Sequence, residues 1–372
     1  MESAPVSDEI YQILDLARWA PSGDNCQPWQ FEIIDQSHIC VHLSLDAENV
    51  YEYNNGQPAF IAAGALIENI SIASSIFGKK INIDRIYPAE SNQVKIDISF
   101  AAGDNGASDA LVDCIRKRSV QRDAYKNTPL PQNVRHELES ILPAEMEISW
   151  YSGLHDKLGI ISVYMCATEI RLTIPETYKI HNEMMDWKHK RSATGIPVAA
   201  TGLSGMTRLL MRWVIKSPSR MKFFNKYLMG TLMPKLELDF LPGVACSSHF
   251  AVSWKHPQKN AHTIEEYIEF GRSLQRFWLT LTKYDMVMQP EIAPLIFGFY
   301  GAKNIDFTSD QKMKKLSVTL AEKVMQFYKK PVDQILFLGR VGFPKTAQDE
   351  TKVRSVRKPL SELLISRTAE HC

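Results

Sequence analysis

Two polar clusters in this 372-residue chain carry residue types that bind an anionic, hydrogen-bonding ligand. The first is Ala20-Pro21-Ser22-Gly23-Asp24-Asn25-Cys26-Gln27-Pro28-Trp29. A helical run from Ile10 to Trp19 stops there, and an apolar, strand-like run resumes at Phe31. Such a break presents backbone N–H groups, the Ser22 hydroxyl and the Asn25 carboxamide together. That donor set suits a flat heterocycle better than a metal, although a Ser/Gly/Asn turn taken alone is commonly plain punctuation. The second cluster runs from Cys114 to Tyr125 and places Arg116, Lys117, Arg118, Ser119 and Arg122 within seven residues. Forked Arg donors, a Lys point charge and a short Ser donor suit a phosphate. The plainer alternative is a solvated basic helix end.

The elements that must position these clusters are legible as periodicity. Strand candidates are Trp29–Ile34, Ile39–Leu45, Ile81–Ile83, Val94–Phe100, Met146–Tyr151, Phe250–Trp254 and Gln334–Val341. An approximate internal repeat lies among them. Gly64 opens an apolar helical stretch that closes fourteen residues later at Gly78, and Gly271 opens another that ends fourteen residues later near Asp285. Leu66, Ile70 and Ala73 in the first recur at helical spacing, as do Leu274, Phe277 and Trp278 in the second. Helices and strands do not alternate as βαβ units and no GxGxxG follows a strand, so the expected class is α+β and not a dinucleotide-binding α/β domain.

Bulk composition narrows the function. Apolar content of 45% and charged content of 23% are those of an ordinary globular protein. A formal charge of +1 argues against nucleic-acid binding. Cys26, Cys40, Cys114, Cys166, Cys246 and Cys372 form no CxxC pair and have no His at zinc spacing, so they read as reduced thiols, and no metal is expected. Met1 to Pro5 lacks the features of a signal peptide, and no apolar run looks long enough to span a bilayer; the expected location is cytoplasmic.

One stretch departs from this average. Between Trp187 and Leu236 there is no Asp or Glu but there are ten Lys or Arg residues, interleaved with residues such as Leu209, Leu210, Met211, Trp213 and Phe223. Pro218 should divide it into two short basic amphipathic helices. Gly195, Gly202 and Gly205 upstream read as hinges of an inserted excursion.

The turn at 20–29 resembles the flavin-binding turn of the nitroreductase superfamily. That resemblance implies that Pro21, Ser22, Gly23 and Asn25 bind FMN. The 116–122 segment resembles the Arg-Arg-Ser-x-Arg run that holds the FMN phosphate there, which implies Lys117, Arg118 and Ser119 as ligands. Arg122 falls one place late, and Gln121 stands where a basic residue is usual. Gly339-Arg340-Val341-Gly342-Phe343-Pro344, followed by Arg354-Ser355-Val356-Arg357-Lys358-Pro359-Leu360, is similar to the C-terminal end of these proteins. Arg357 best fits the residue that reaches the phosphate, Arg354 is its neighbour, and Arg340 is either a further ligand or a structural strand residue. Met286 to Pro290 matches a turn whose backbone lies beside the flavin ring, through Met288, Gln289 and Pro290.

Ordinary nitroreductases are dimers that carry the Arg-Ser motif before the turn. Here each motif occurs once, in reverse order. With Gly56-Gln57-Pro58-Ala59 and the segment from His181 to Pro197, this resembles the single-chain Acg-type FMN proteins. The resemblance implies a nitroreductase-like fold of two fused halves, 1–105 and 106–372. They would form an intramolecular pseudo-dimer with one complete site, an empty mirror site and a basic helical lid at about 175–240. A monomer is expected. The implied activity is hydride or electron transfer through FMN to or from a nitro, quinone, enone or related small molecule, with NAD(P)H as donor. Catalytic residues stay unassigned, and His181 and Glu183 read as surface helix residues. The alternatives are an FMN-storage protein, or a peripheral protein whose basic helices meet anionic membrane or an acyl carrier.

Overall fold

The computed structural model describes residues 8–90, 92–103, 107–120, 122–227, 230–256, 262–346 and 353–365, with backbone alone at 88–90, 218, 222 and 225–227. Met1 to Pro5, the 105/106 boundary, Gln121 and Cys372 lie outside the described residues.

Helix α1 (Asp8–Ala17) buries Ile10, Ile13, Leu14 and Ala17, one face of a helix. It leads into a sheet of β1 (Trp29–Ile33), β2 (His38–Ser44), β3 (Lys79–Glu90) and β4 (Gln93–Ala102), ordered β1-β2-β4-β3 with every pair antiparallel. Alternation drives it: Val94, Ile96, Ile98 and Phe100 of β4 all point into the core. Between β2 and β3 lies α2 (Tyr53–Ser74). Its first turn is left-handed at Asn54, Asn55 and Gly56, and Glu52 Oε2 then accepts the Ala59 N–H at 3.2 Å. By length and composition α2 resembles a membrane span, contrary to the expectation that no run qualifies, but most of it is buried inside the protein.

After α3 (Cys114–Lys117), β5 (Tyr125–Lys126) and α4 (Gln132–Ser140) comes β6 (Met146–Tyr151). A long excursion follows: α5 (Leu154–Arg171), α6 (Pro175–Met184), β7 (Met185–Asp186), β8 (Arg191–Ser192), β9 (Ile196–Pro197), α7 (Gly205–Val214), α8 (Pro218–Tyr227), α9 (Leu232–Pro234) and α10 (Leu241–Ala245). Pro218 does divide α7 from α8, starting the second helix. The chain closes with β10 (Ser248–Trp254), α11 (Ile264–Lys283), β11 (Val287–Pro290), α12 (Ala293–Lys303), α13 (Gln311–Tyr328), β12 (Ile335–Pro344), β13 (Arg354–Ser355) and α14 (Leu360–Leu363). Residues 287–290, expected as a turn, are instead a strand, because β12 offers its edge to them.

The second sheet runs β6-β10-β12-β11, with β5 paired to the end of β12, again antiparallel throughout. Around each sheet the chain thus runs strand, strand, helix, strand, strand with the same spatial order, the second carrying insertions after β6 and β11. The α2–α11 contact is reciprocal. A Cβ on Gly64 would lie 2.1 Å from the Ile268 carbonyl oxygen, and one on Gly271 would lie 2.2 Å from that of Ile61. The same register relates two polar pairs: Gln275 donates to Asn69 Oδ1 at 2.7 Å, and its counterpart Glu68 takes Arg276 at 2.6 Å. Arg272 and Asp109 join the second pair, so charged groups fill that position.

Candidate functional site

A cavity of about 460 Å³ opens beside the helix crossing, within the size range of small-ligand sites. Its walls bring together Pro21, Ser22, Gly23, Asn25, Arg118, Ser119, Arg122, Gln289, Pro290, Arg340, Arg354 and Arg357, which are scattered over more than 330 residues of sequence. Lys117 is exposed and does not reach it. Helix α3 ends at Lys117, and Arg118 turns to ψ 129°, so adjacent cations face opposite ways. Met288 is buried in the core, and its backbone forms a parallel bridge to Val120.

The 21–27 turn is locally strained: Asp24, Asn25 and Gln27 all have positive φ without being glycine, a conformation costing about 1–3 kcal/mol per residue. Side chains hold it. Ser22 Oγ accepts the Gln27 N–H at 2.9 Å. Asn25 Nδ2 donates to the carbonyls of Ala193, Gly195 and Val356 at 3.0–3.3 Å, while its buried Oδ1 has no partner. Gln27 Nε2 donates to Ala193 O at 2.8 Å, and Gln27 Oε1 accepts Lys358 N–H at 2.9 Å. The carboxamide expected to face a ligand therefore latches the 191–197 segment and the C-terminal strand onto the turn. Ser355 Oγ donates to Gly195 O at 2.9 Å, and β13 pairs with β8, in the same seam. Gly195 and Gly202, expected as hinges, are left-handed points of close approach: a Cβ on either would lie within 2.4 Å of a carbonyl oxygen. Cys26 is a free, exposed thiol.

At one end of the cavity three arginines converge. Arg118 is buried, with its guanidinium 4.5 Å from the Trp278 ring, one donated bond of 3.4 Å to Trp19 O, and a buried Nε without a partner. Arg357 donates to the carbonyls of Ala20, Val356 and Trp19 at 3.0–3.4 Å. Arg354 donates to the carbonyls of Arg116 and Arg118 at 3.0 and 3.3 Å. Burial, then the mutual repulsion of these cations, lowers the Arg118 pKa well below its usual value and that of Arg357 to about 9. Among the described residues no carboxylate bonds Arg118 or Arg357. The group that would relieve this charge is an anion with several acceptor oxygens.

Arg340 behaves differently. It donates to Glu291 Oε1 at 2.6 Å, and His249 Nδ1 lies 3.1 Å from Glu291 Oε2, a buried cation–anion–cation row. Arg340 thus sits in the strand with one nitrogen on Glu291, while it lines the cavity and keeps a buried Nε without a partner. Beside it, Gln289 donates to Pro290 O at 2.8 Å and leaves a buried Oε1 without a partner.

The cavity also holds Tyr51, Glu52, Arg171 and Asp239, which the sequence did not mark, with Asp24 and His181. His181, expected on the surface, lies against Tyr51 OH at 2.8 Å; burial and the nearby Arg171 lower its pKa to about 3, so it is neutral. Glu183 is exposed. Burial raises Glu52 to about 7 and Asp239 to about 6. Asp24 is also raised by burial, which Arg122 and Arg171 oppose. No local pattern announces these groups, because Asp24, Tyr51 and Glu52 meet Arg171, His181 and Asp239 only in the fold, more than a hundred residues further along the chain.

No known family model matches the chain, and no curated protein matches it. Among solved structures it is similar to a nitroreductase-like family protein from Bacillus cereus, at 9% identity over 70% of this chain and 96% of that one, with a TM-score of 0.34. It is similar to the FMN-dependent nitroreductase NfnB from Mycobacterium smegmatis in complex with NADPH, at 12% identity over 67% and 94%, TM-score 0.34. It is also similar to oxidized iodotyrosine deiodinase bound to FMN and 3-iodo-L-tyrosine, at 12% identity over 67% and 97%, TM-score 0.33.

Proposed function

We propose that the chain is an FMN-dependent oxidoreductase of the nitroreductase type, acting on a conjugated small molecule such as a nitro compound, quinone or enone, with NAD(P)H as electron donor. The observation that carries this reading is the convergence of Arg118, Arg354 and Arg357 on one end of a cavity whose other walls include the 21–25 turn and Gln289. The fit to FMN is chemical. The arginines suit a phosphate, while the unpartnered Arg118 Nε, Asn25 Oδ1, Gln275 Oε1 and Gln289 Oε1 offer one donor and three acceptors to a polar ring and its side chain. Trp278 and α2 residues Ile61, Ala62 and Ala65 supply apolar wall. Bound there, FMN would supply hydride or electron transfer through its N5.

The protein's own contribution is placement and proton handling. Neutral His181 and the Tyr51 hydroxyl are hydrogen-bonded at 2.8 Å, and burial holds both uncharged, so the pair suits a hydrogen-bond donor to a substrate that gains negative charge. The latch through Asn25, Gln27 and Ser355 holds the excursion over the cavity as a lid and excludes water. We read residues 1–105 and 106–372 as fused halves of one monomeric pseudo-dimer, supported by the shared strand order and the reciprocal α2–α11 contact.

The test is the visible spectrum of FMN-loaded protein during anaerobic NADH and NADPH addition. Bleaching of the flavin band, with recovery on adding a nitroarene or quinone, is the expected result. Bound flavin that resists both donors would favour storage under the closed lid. Failure to bind FMN would overturn the reading.

A further inference from the structure

We propose that the outer face of α7 docks on an anionic lipid bilayer, bringing the cavity to the membrane surface. Helix α7 is turned the wrong way for a helix facing water. Met206, Leu209, Leu210 and Trp213, at i, i+3, i+4 and i+7, form one stripe and are 76%, 68%, 37% and 44% exposed. Its opposite side is tied down. Ser204 Oγ caps the helix by accepting Thr207 N–H at 3.2 Å, Thr207 Oγ1 donates to Glu237 Oε1 at 3.0 Å, and Tyr178 OH donates to Ile215 O at 2.6 Å. The stripe faces outward because Thr207, the one buried residue of the helix, and the caps at its two ends are engaged beneath. A continuous exposed apolar stripe on a fixed helix marks a contact surface.

Charge selects the partner. Arg208 and Arg212 share the helix with the stripe, Lys216 and Arg220 follow it, and Arg220 lies 5.1 Å from the Trp213 ring. No carboxylate occurs anywhere between residues 187 and 236. A second copy of this chain would set these cations against themselves. An anionic bilayer takes both features at once, apolar side chains into the acyl boundary and cations at the headgroups.

The same helix is a wall of the cavity, through Met211, and Leu203 lines it just upstream. Docking would thus place the cavity beside the acyl region, and the substrate class that follows is a long-tailed, membrane-resident quinone. This substrate step rests on the flavin reading; the docking step does not.

Co-sedimentation of the full chain with vesicles tests the docking. Phosphatidylcholine vesicles containing phosphatidylglycerol should carry the protein down, pure phosphatidylcholine vesicles should not, and high salt should release it. Leu209→Glu with Trp213→Glu should weaken binding by roughly a hundredfold or more, since each side chain loses the gain from burial. Arg212→Gln with Lys216→Gln should weaken binding and reduce its salt dependence. All four positions are exposed or half-exposed, and unchanged thermal unfolding of the variants confirms an intact fold. Equal binding to neutral vesicles, or none to anionic ones, overturns the proposal, even if an acidic acyl carrier binds instead. The flavin-loaded protein is then given a long-tailed quinone in anionic vesicles. Vesicle binding without its reduction, while a short-chain quinone is reduced, overturns the substrate step alone. Absence of flavin binding overturns the flavin reading and leaves the vesicle result intact.

Discussion

The guanidinium of Arg118 lies 4.5 Å from the ring of Trp278, and among the described residues that ring and one long bond to a carbonyl are what compensate it. Burial and two neighbouring arginines disfavour its charge. Arg118→Met is therefore expected to act in opposite directions on two states. It should raise the melting temperature of the flavin-free protein, and it should weaken FMN binding by about two to three orders of magnitude, as loss of a buried charge-assisted pair does. Flavin fluorescence titration and thermal unfolding measure both. Lys117→Ala, one residue earlier but exposed, should change neither.

Gly271→Ala forces a methyl group to within 2.2 Å of the Ile61 carbonyl oxygen, and only separation of α2 from α11 relieves it. The expected cost is about 1–3 kcal/mol or more. Gly23→Ala, with nothing within 4 Å of its Cβ and an ordinary φ, should stay within about 0.5 kcal/mol of the parent. Urea unfolding distinguishes them.

Two histidines should shape opposite limbs of the stability–pH curve. Burial opposes charge on His249, but Cys246 and the Glu291 carboxylate outweigh it and raise its pKa to about 9, against about 6.5 unfolded. Its contribution of about 3 kcal/mol is complete below pH ~6.5 and is lost as pH rises through ~9. His181, lowered to about 3, stabilises as the neutral form, so its contribution is complete above pH ~6.5 and is lost as pH falls towards 3. His249→Gln should flatten the alkaline limb and His181→Gln the acid limb in denaturation series run from acid to alkaline pH.

Asn25→Ala removes three donated bonds that tie the turn to residues 193–195 and to Val356. We expect faster amide exchange in the 191–197 segment and faster tryptic cleavage at Lys190 or Arg191, with a local loss of about 1–3 kcal/mol. Unchanged exchange there would show that the backbone pairing of β8 with β13 is sufficient.

What could be read in advance depended on range. Strand β6 falls on Met146–Tyr151 as expected, and β1, β2 and β4 agree to within two residues, because alternating burial is written locally. The two glycines of the repeat were visible as spacing, while their meaning, backbone against backbone, needed the fold. Residues 287–290 were misjudged because their extended state comes from β12, which is nearly fifty residues away. The arginine end of the cavity was legible through its charge density. The wall of Tyr51, Arg171, His181 and Asp239 was not, since each of these is an ordinary residue of its own element until the excursion folds back.

The polar pairs astride the helix crossing have a further consequence. On the cavity side the pair is an uncharged amide couple, Gln275 with Asn69, and on the other side its counterpart is Glu68 bound by Arg276 and Arg272. There Glu68 spends its charge on Arg272 and Arg276, so it offers a second ligand no free hydrogen-bonding amide of the kind Gln275 presents. Saturation should accordingly come at one flavin per polypeptide, with a single hyperbolic isotherm, no half-of-sites behaviour and no exchange of electrons between paired cofactors.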